Sequence, residues 1–180
     1  MKHKRITVMI FALLAAVWLS GAVRAGEFIE PTKEDKCPVC GMFVHKYPKW
    51  VAEIIFKDGT YAAFDGPKDM LKYYFNVPKY NKGKTKEDIA EIYVTEYYTT
   101  GKVKAEDVNF VLGSDVYGPM GMELIPVRGK KETETFMKDH KGKRALSFDE
   151  IMPADIPGKG KMHHQGQEKS KQGDMKEHGM

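Results

Sequence analysis

The chain is poor in cysteine, since only Cys37 and Cys40 occur among its 180 residues. Two cysteines are too few for a disulfide-rich scaffold, and too few for a zinc site built from thiolates alone, which needs four ligands. The chain also has no compact cluster of lysine and arginine interleaved with stacking aromatic residues, and its net charge of +4 is mild. We therefore expect it not to bind nucleic acid.

Residues 1–25 have the pattern of a secretory signal. Residues 2–5 are positively charged, and the apolar run at residues 6–19 is short for a membrane span. Small residues precede a cleavage position after Ala25. We expect export to the periplasm, with an uncleaved N-terminal anchor as the alternative. No cysteine follows the apolar run, so we expect no lipoprotein anchor.

Apolar periodicity and turn signals predict two small lobes after a coil at residues 26–36. In the first lobe, residues 37–98, we predict strands at 51–56, 60–64 and 89–98 and a helix at 67–75. In the second, residues 99–152, we predict strands at 108–112, 123–127 and 144–148 and a helix at 129–140. The predicted fold class is α+β, with two similar lobes of roughly ββαβ type.

Residues 153–180 show no apolar periodicity and are rich in Gly, Lys, Gln, His and Met. Such a segment buries too little apolar surface to offset the entropy of ordering it, so we expect disorder. It contains Met162, His163 and His164, whose thioether and imidazole groups suit copper. The alternative is a solubilising tail with incidental donors.

Three sulfur donors, Cys37, Cys40 and Met42, lie within the six-residue segment CPVCGM. A thioredoxin-like redox pair would open a helix after a strand, whereas the eleven residues before this motif are polar. A structural disulfide across so short a loop would stabilise little. Gly41 allows the backbone to turn and bring the thioether of Met42 toward the thiols. We favour a metal site and keep the redox and structural interpretations open.

Thiolate and thioether donors favour Cu(I). A zinc site is the alternative, with Cys37, Cys40, His45 and Asp65 as its four ligands. Met120 is the strongest additional Cu(I) candidate, because it lies in a Pro-Met-Gly turn where a methionine has no packing role. Further candidate donors are less specific: Met122; Met70, whose amphipathic helix is more typical of a core position; and His45, which could also act as a proton-linked release switch.

The two predicted lobes share an order of elements: a glycine–methionine turn, a strand, a helix that begins at a glycine, and a strand. Met42 and Met120 occupy the related turns, and Gly66 and Gly129 the related helix starts. We therefore predict a site between the lobes to which each lobe contributes one turn.

The motif DKCPVCGM at residues 35–42 resembles the opening motif of the NosL family, copper chaperones of nitrous oxide reductase maturation. The likeness continues in order through five further segments: FDGPKDML at 64–71, IYV at 92–94, FVLGS at 110–114, GPMG at 118–121 and SFDEI at 147–151. The resemblance implies an exported, non-catalytic Cu(I) carrier with two α+β lobes. It also implies delivery to nitrous oxide reductase with an ABC-type membrane transporter as partner, and it puts Cys37, Cys40, Met42 and Met120 at the matching motif positions.

The chain departs from this pattern at Asp65, where some relatives carry a further cysteine just after the second strand. The substitution removes a soft donor, which weakens the case that the helix start joins the metal site. The opening also resembles the YHS/TRASH metal-binding motif, whose later cysteine pair is replaced here by Asp65 and Asp69. Many relatives resemble lipoproteins. This chain lacks the cysteine that would carry the lipid, so we do not expect it to be attached to a membrane in that way.

These observations favour a carrier of Cu(I) that acts as a monomer or weak dimer. Two other classes of function stay open. One is an exported thiol–disulfide oxidoreductase, and the other is an interaction module stabilised by zinc.

Overall fold

The computed structural model describes residues 27–158. The predicted signal at residues 1–25 and the predicted donors Met162, His163 and His164 lie outside the described residues. Among residues 27–158, no helix is both long and apolar enough to cross a membrane. Short helices and antiparallel strands are mixed along this part of the chain, so the predicted α+β class is confirmed.

The first half of the described chain forms a four-stranded antiparallel sheet. Its strands, in the order β2-β1-β3-β4, are β1 (Ala52–Phe56), β2 (Tyr61–Phe64), β3 (Ile89–Thr95) and β4 (Lys102–Lys104). Two helices, α1 (Pro67–Tyr74) and α2 (Val77–Tyr80), connect β2 to β3. Strand β1 lies between β2 and β3 and is buried along its whole length. The predicted strands at 51–56 and 60–64 and the helix at 67–75 are confirmed to within one residue.

The second half forms a three-stranded antiparallel sheet, a small hairpin and one helix. The sheet, in the order β8-β5-β9, contains β5 (Asn109–Leu112), β8 (Ile125–Val127) and β9 (Arg144–Ser147). The hairpin is formed by β6 (Tyr117–Gly118) and β7 (Gly121–Met122), and the helix is α3 (Lys130–Asp139). Short 3₁₀ turns complete the described chain: Val44–Lys46, Lys86–Asp88, Ala105–Asp107, Phe148–Glu150 and Pro153–Asp155.

Strand β5 joins two hydrophobic cores because successive side chains of a strand point to opposite faces. Phe110 and Leu112 belong to the main core, which also contains the first sheet, whereas Val111 belongs to a small core with Phe136 of α3. The main core also takes in Leu124 and Ile151 from the second half. Both predicted lobes therefore contribute residues to the main core, while the second lobe also has the small core of its own.

Three predicted boundaries differ in the structure. The strand predicted at 89–98 ends at Thr95, because Glu96 begins the turn into β4, in which its N–H donates to the Gly101 carbonyl. The strand predicted at 123–127 begins only at Ile125, because the buried Glu123 side chain binds backbone N–H groups instead of extending the sheet. The disordered tail was predicted to begin at residue 153, but Pro153–Asp155 forms a 3₁₀ turn and Ile156 packs against the main core. Asp155 stabilises that turn by accepting hydrogen bonds from the Met152 N–H and from Arg144.

Candidate metal centre

The cysteine motif forms a tight, hairpin-like loop. Lys36 and Phe43 pair as an isolated antiparallel bridge on either side of it. Within the loop, the Cys37 N–H donates to the Met42 carbonyl at 2.9 Å, and the Gly41 N–H donates to the Cys37 carbonyl at 2.8 Å. Gly41 has a φ of +80°, a left-handed conformation that L side chains rarely adopt, while a Cβ there would meet nothing. The glycine is therefore required by the backbone conformation rather than by lack of space.

This loop differs from the geometry of a thioredoxin-like site. In such a site the first cysteine lies at the start of a helix, whose N-terminal N–H groups help to lower its pKa. Here the first helical residues, Val44–Lys46, follow the motif instead of containing it. Burial, reinforced by Asp65, raises the pKa of the Cys37 thiol to about 12 and also raises that of Cys40. Both thiols are therefore protonated and weakly nucleophilic at neutral pH.

The backbone around the loop is nevertheless arranged to stabilise thiolates. The N–H groups of Cys40 and Val39 face the Cys37 sulfur and lower its pKa against the larger effect of burial. The N–H of Met42 acts on Cys40 in the same way. Metal coordination removes the proton from a thiol outright. Once an ion has displaced both protons, these N–H groups stabilise the resulting charge.

Two carboxyl groups face the thiols from the start of α1. Asp65 directly follows β2, and Asp69 lies in the first turn of α1. The Cys40 thiol donates to Asp65 Oδ1 at 3.1 Å, and the Cys37 thiol lies 3.8 Å from Asp69 Oδ2. One ligand atom from each of these four residues lies within 4.8 Å of the other three. The start of α1 therefore lies beside the thiols. Asp65 offers no soft donor, but the packing of the β2–α1 connection against the loop brings its oxygen to Cys40.

The two carboxyl groups differ in their other contacts. Asp69 is 2% exposed, and its Oδ1 forms an ion pair with Lys72 Nζ at 2.7 Å. Asp65 is 1% exposed, and its buried Oδ2 has no hydrogen-bond partner. Buried polar oxygens nearly always accept a hydrogen bond, because burial removes their hydrogen bonds to water and an unpaired oxygen gains nothing in exchange. A cation bound between the carboxylates and the thiols would supply the missing partner.

The β6–β7 hairpin, which carries Met120, is attached to the same helix start. Lys68 Nζ donates to the carbonyl oxygens of Met120 at 2.6 Å and of Met122 at 2.8 Å. Glu123, just after the hairpin, accepts hydrogen bonds from the N–H groups of Lys68 and Leu124. A Cβ on Gly66 would lie 2.5 Å from Glu123 Oε2, so the absence of a side chain at this helix cap permits the contact. The backbone of the Met120 turn is thus fixed beside the helix that bears Asp69.

The remaining predicted donors lie in different environments. Met42 and Met120 are half-buried, and Met122 is exposed opposite Tyr117 in the hairpin. Met70 is fully buried in the main core, the ordinary position of a core methionine. His45 is half-buried edge-on to Phe43, its Nδ1 has no hydrogen-bond partner, and it is not part of the four-residue cluster.

The structure therefore brings together Cys37 and Cys40, and it adds Asp65 and Asp69 to them. Of these two, Asp65 was predicted only as a zinc ligand and Asp69 was not predicted as a donor. The sequence does contain a signal for the pair, since two aspartates four residues apart flank a Gly-Pro helix start in DGPKD. Asp65 immediately precedes the Gly66 cap and Asp69 lies in the first turn, so both belong to one helix start.

Comparison with known proteins identifies a family and a fold. The family model described as NosL matches residues 28–156, which include the cysteine loop, the start of α1 and the β6–β7 hairpin. The crystal structure of the copper chaperone NosL from Shewanella denitrificans is similar, with a TM-score of 0.61 and 24% sequence identity over 71% of this chain and 97% of that one. The solution structure of the apo-NosL protein from Achromobacter cycloclastes gives a TM-score of 0.43 and 21% identity over 58% of this chain and 87% of that one. No curated protein matches the chain.

Proposed function

The chain belongs to the NosL family, whose model matches residues 28–156, and from this premise we propose that it is a Cu(I)-binding metallochaperone rather than an enzyme. The observation that carries the proposal is the pair of free thiols, Cys37 and Cys40, in one closed loop. Thiolates are the protein donors that Cu(I) prefers. The Shewanella denitrificans protein is a copper chaperone with the same fold, which agrees with this assignment.

The two cysteines suit a carrier because they differ in accessibility. Cys37 is 1% exposed and packs in the main core, whereas Cys40 is only partly buried. We propose that Cys37 anchors the ion and that Cys40 is the thiolate an acceptor reaches first. A neutral thioether from Met42 or Met120 would complete a site of low coordination number. Such a donor leaves easily, which lets the ligand of an acceptor enter before the ion is released.

The oxidoreductase alternative is disfavoured by the loop geometry. The motif is not at the start of a helix, and neither thiol has the depressed pKa that catalytic redox cysteines need. The zinc alternative has an observation in its favour, namely the two carboxylates of the cluster.

We further propose that the copper is delivered in the periplasm toward the copper centres of nitrous oxide reductase, with an ABC-type membrane transporter as partner. Family membership supports the acceptor, and the signal-like residues 1–25 support the compartment. Transfer of Cu(I) from the loaded protein to copper-free reductase, followed by the return of reductase activity, would test this step. Transfer no faster than from a small-molecule Cu(I) complex would contradict it.

Copper binding itself is tested on reduced protein by competition with a chromophoric Cu(I) chelator. We expect one Cu(I) per chain, lost in Cys40→Ser and in the double variant Cys37→Ser with Cys40→Ser. Asp107→Asn is the control, because Asp107 is exposed and far along the chain from the loop. The proposal is wrong if the double cysteine variant binds Cu(I) as tightly as the unaltered protein.

A further inference from the structure

Residues 28–35, which lead into the cysteine loop, form a strap across one face of the four-stranded sheet. The ring of Phe28, at one end of the strap, lies edge-on to Tyr93 of β3 with 6.0 Å between the ring centroids. At the other end, the Tyr61 hydroxyl of β2 donates to Asp35 Oδ2 at 2.8 Å. Since β1 lies between β3 and β2, the strap passes over this central strand.

The strap and helix α1 lie on opposite faces of this sheet. Tyr73 of α1 packs edge-on against Phe64 of β2, and Phe64 is directly opposite Ala52 of β1. Successive side chains of a strand point to opposite faces, so the next residue, Glu53, points away from α1. Tyr93, which contacts the strap, is directly opposite Glu53 and shares its face. The strap is therefore a third layer that covers Glu53.

The carboxyl group of Glu53 is enclosed between the sheet and the strap. Glu53 is 0% exposed, its Oε1 accepts a hydrogen bond from the Ile29 N–H at 3.1 Å, and its Oε2 has no hydrogen-bond partner. No ion pair to this carboxyl is found among residues 27–158. Burial disfavours the charged form of such a group, and it raises the pKa of Glu53 to about 7.

The strap itself brings negative charge to the Glu53 carboxyl. Glu30 and Asp35, both in the strap, act against the ionisation of Glu53. Further titratable groups lie on the same face of the sheet or just before the strap: Glu27, Tyr61, Glu91, Tyr93, Lys102 and Lys104. The two lysine amines donate to other groups, namely the Pro48 carbonyl, the Thr95 hydroxyl and the Glu91 carboxylate. An ionised Glu53 is therefore repelled by the strap and has no cation of its own among the described residues.

From this geometry we propose that Glu53 is a proton-controlled latch: the strap is closed over the sheet while the Glu53 carboxyl is protonated, and it opens as this carboxyl ionises. The proton leaves to solvent, and opening lets water hydrate both carboxylate oxygens in exchange for the hydrogen bond from Ile29. Opening also uncovers this face of the sheet and frees the segment that leads into the cysteine loop. The latch needs no metal ion, so it does not depend on the proposed copper function.

The sign and size of the effect follow from proton linkage. Closure of the strap is favoured at acid pH and weakens as the pH rises, because the closed state holds the Glu53 proton more tightly. With a pKa of 4.5 for the hydrated carboxyl and about 7 under the strap, ionisation weakens closure by up to about 300-fold. About tenfold of this loss falls between pH 6 and pH 8.5.

The test follows hydrogen exchange of the Ile29 N–H by NMR in the reduced, metal-free full chain between pH 6 and pH 8.5. After correction for the intrinsic exchange rate, protection of this N–H should fall about tenfold. Glu53→Gln keeps the size of the side chain and an acceptor for Ile29 but cannot ionise, so its protection should not change with pH.

Two controls separate opening of the strap from other effects of pH. Glu34→Gln alters an exposed carboxyl of the strap and should follow the unaltered protein. The N–H of Ile54, in the central strand β1, should keep its protection in all three proteins, because the sheet itself stays folded.

The proposal is overturned if protection of the Ile29 N–H is independent of pH in the unaltered protein, if Glu53→Gln shows the same fall, or if Ile54 loses protection in parallel. Should Glu53→Gln fail to fold, ¹³C NMR titration of the Glu53 carboxyl in the unaltered protein decides. Its midpoint must then coincide with the midpoint of the loss of protection at Ile29. A carboxyl that titrates near 4.5 refutes the latch.

Discussion

Lys68 offers the sharpest test of how the two halves of the chain are held together. Its side chain is 1% exposed, and its amine donates to two carbonyl oxygens of the β6–β7 hairpin, at Met120 and Met122. Lys68→Met keeps most of the volume and removes both hydrogen bonds and the charge. We expect the hairpin to lose the part of its attachment to α1 that runs through the Lys68 amine, while the contact from the Lys68 N–H to Glu123 remains.

The magnitude follows from what is left unpaired. Glu123 beside Lys68 can take up a proton, because burial raises its pKa to about 8 and the charge of Lys68 opposes this rise. Removing Lys68 thus leaves a neutral Glu123 rather than a bare buried charge, and the two carbonyls dominate. An unsatisfied buried acceptor costs about 1–3 kcal/mol. Both carbonyls are only partly buried, so we take about 1–2 kcal/mol for each and expect a loss of roughly 2–4 kcal/mol in the free energy of unfolding.

Urea denaturation followed by circular dichroism measures this loss. A fall of about 4–16 °C in Tm should accompany it for a chain of this size. Lys82→Met is the control, since Lys82 is exposed and no hydrogen bond or ion pair from its amine is found among the described residues. If Lys68→Met unfolds within about 0.5 kcal/mol of the parent, as an ordinary surface substitution would, the attachment of the hairpin through Lys68 is refuted.

Two further predictions concern the buried carboxyl of Glu53 and the thioether of Met120. Burial raises the pKa of Glu53 from 4.5 to about 7, so the folded state holds this proton more tightly than the unfolded chain does. The stability that this proton contributes is fully present below about pH 4.5 and is lost as the pH rises through 7. The midpoint of urea unfolding should therefore fall less with rising pH in Glu53→Gln than in the parent. An equal fall of the midpoint in both proteins would contradict the assignment. Met120→Leu should weaken Cu(I) binding by about tenfold if its sulfur is a ligand, whereas Met152→Leu, at a 64% exposed methionine, should not; equal Cu(I) affinity in both variants would remove Met120 from the site.

Much of the secondary structure was predictable because local signals and packing agree. The Asp58-Gly59 turn fits the hairpin between β1 and β2, where Gly59 has a φ of +83°. Gly66 and Gly129 cap α1 and α3 as predicted. The strand β4 and the two-residue strands of the β6–β7 hairpin were not predicted, since segments of two or three residues are too short to show a period.

The candidate site also has a part that the sequence predicts and a part that only packing decides. The local loop was predictable, because CPVCGM contains both thiols and the glycine that its backbone conformation requires. Asp65 was predicted as a possible zinc ligand but carried little weight for a Cu(I) site, because its carboxylate is not a soft donor. Whether a carboxyl group reaches the thiols depends on how the β2–α1 connection packs, which the residue type does not reveal. The buried Lys68 was unforeseen for the same reason, since lysine is rarely buried without specific partners.

The sequence by itself determined the donor chemistry of this protein: two thiols three positions apart, a glycine that allows the loop to close, and a second methionine turn. Only the tertiary structure decided which groups share the site. Cys40 and Asp65 are 25 residues apart, and Cys37 and Asp69 are 32 apart. Such contacts arise only when the packing of the core offsets the chain entropy lost in closing the intervening segment. That packing buries Asp65 with one oxygen unpaired and turns a pair of thiols into a four-donor cluster.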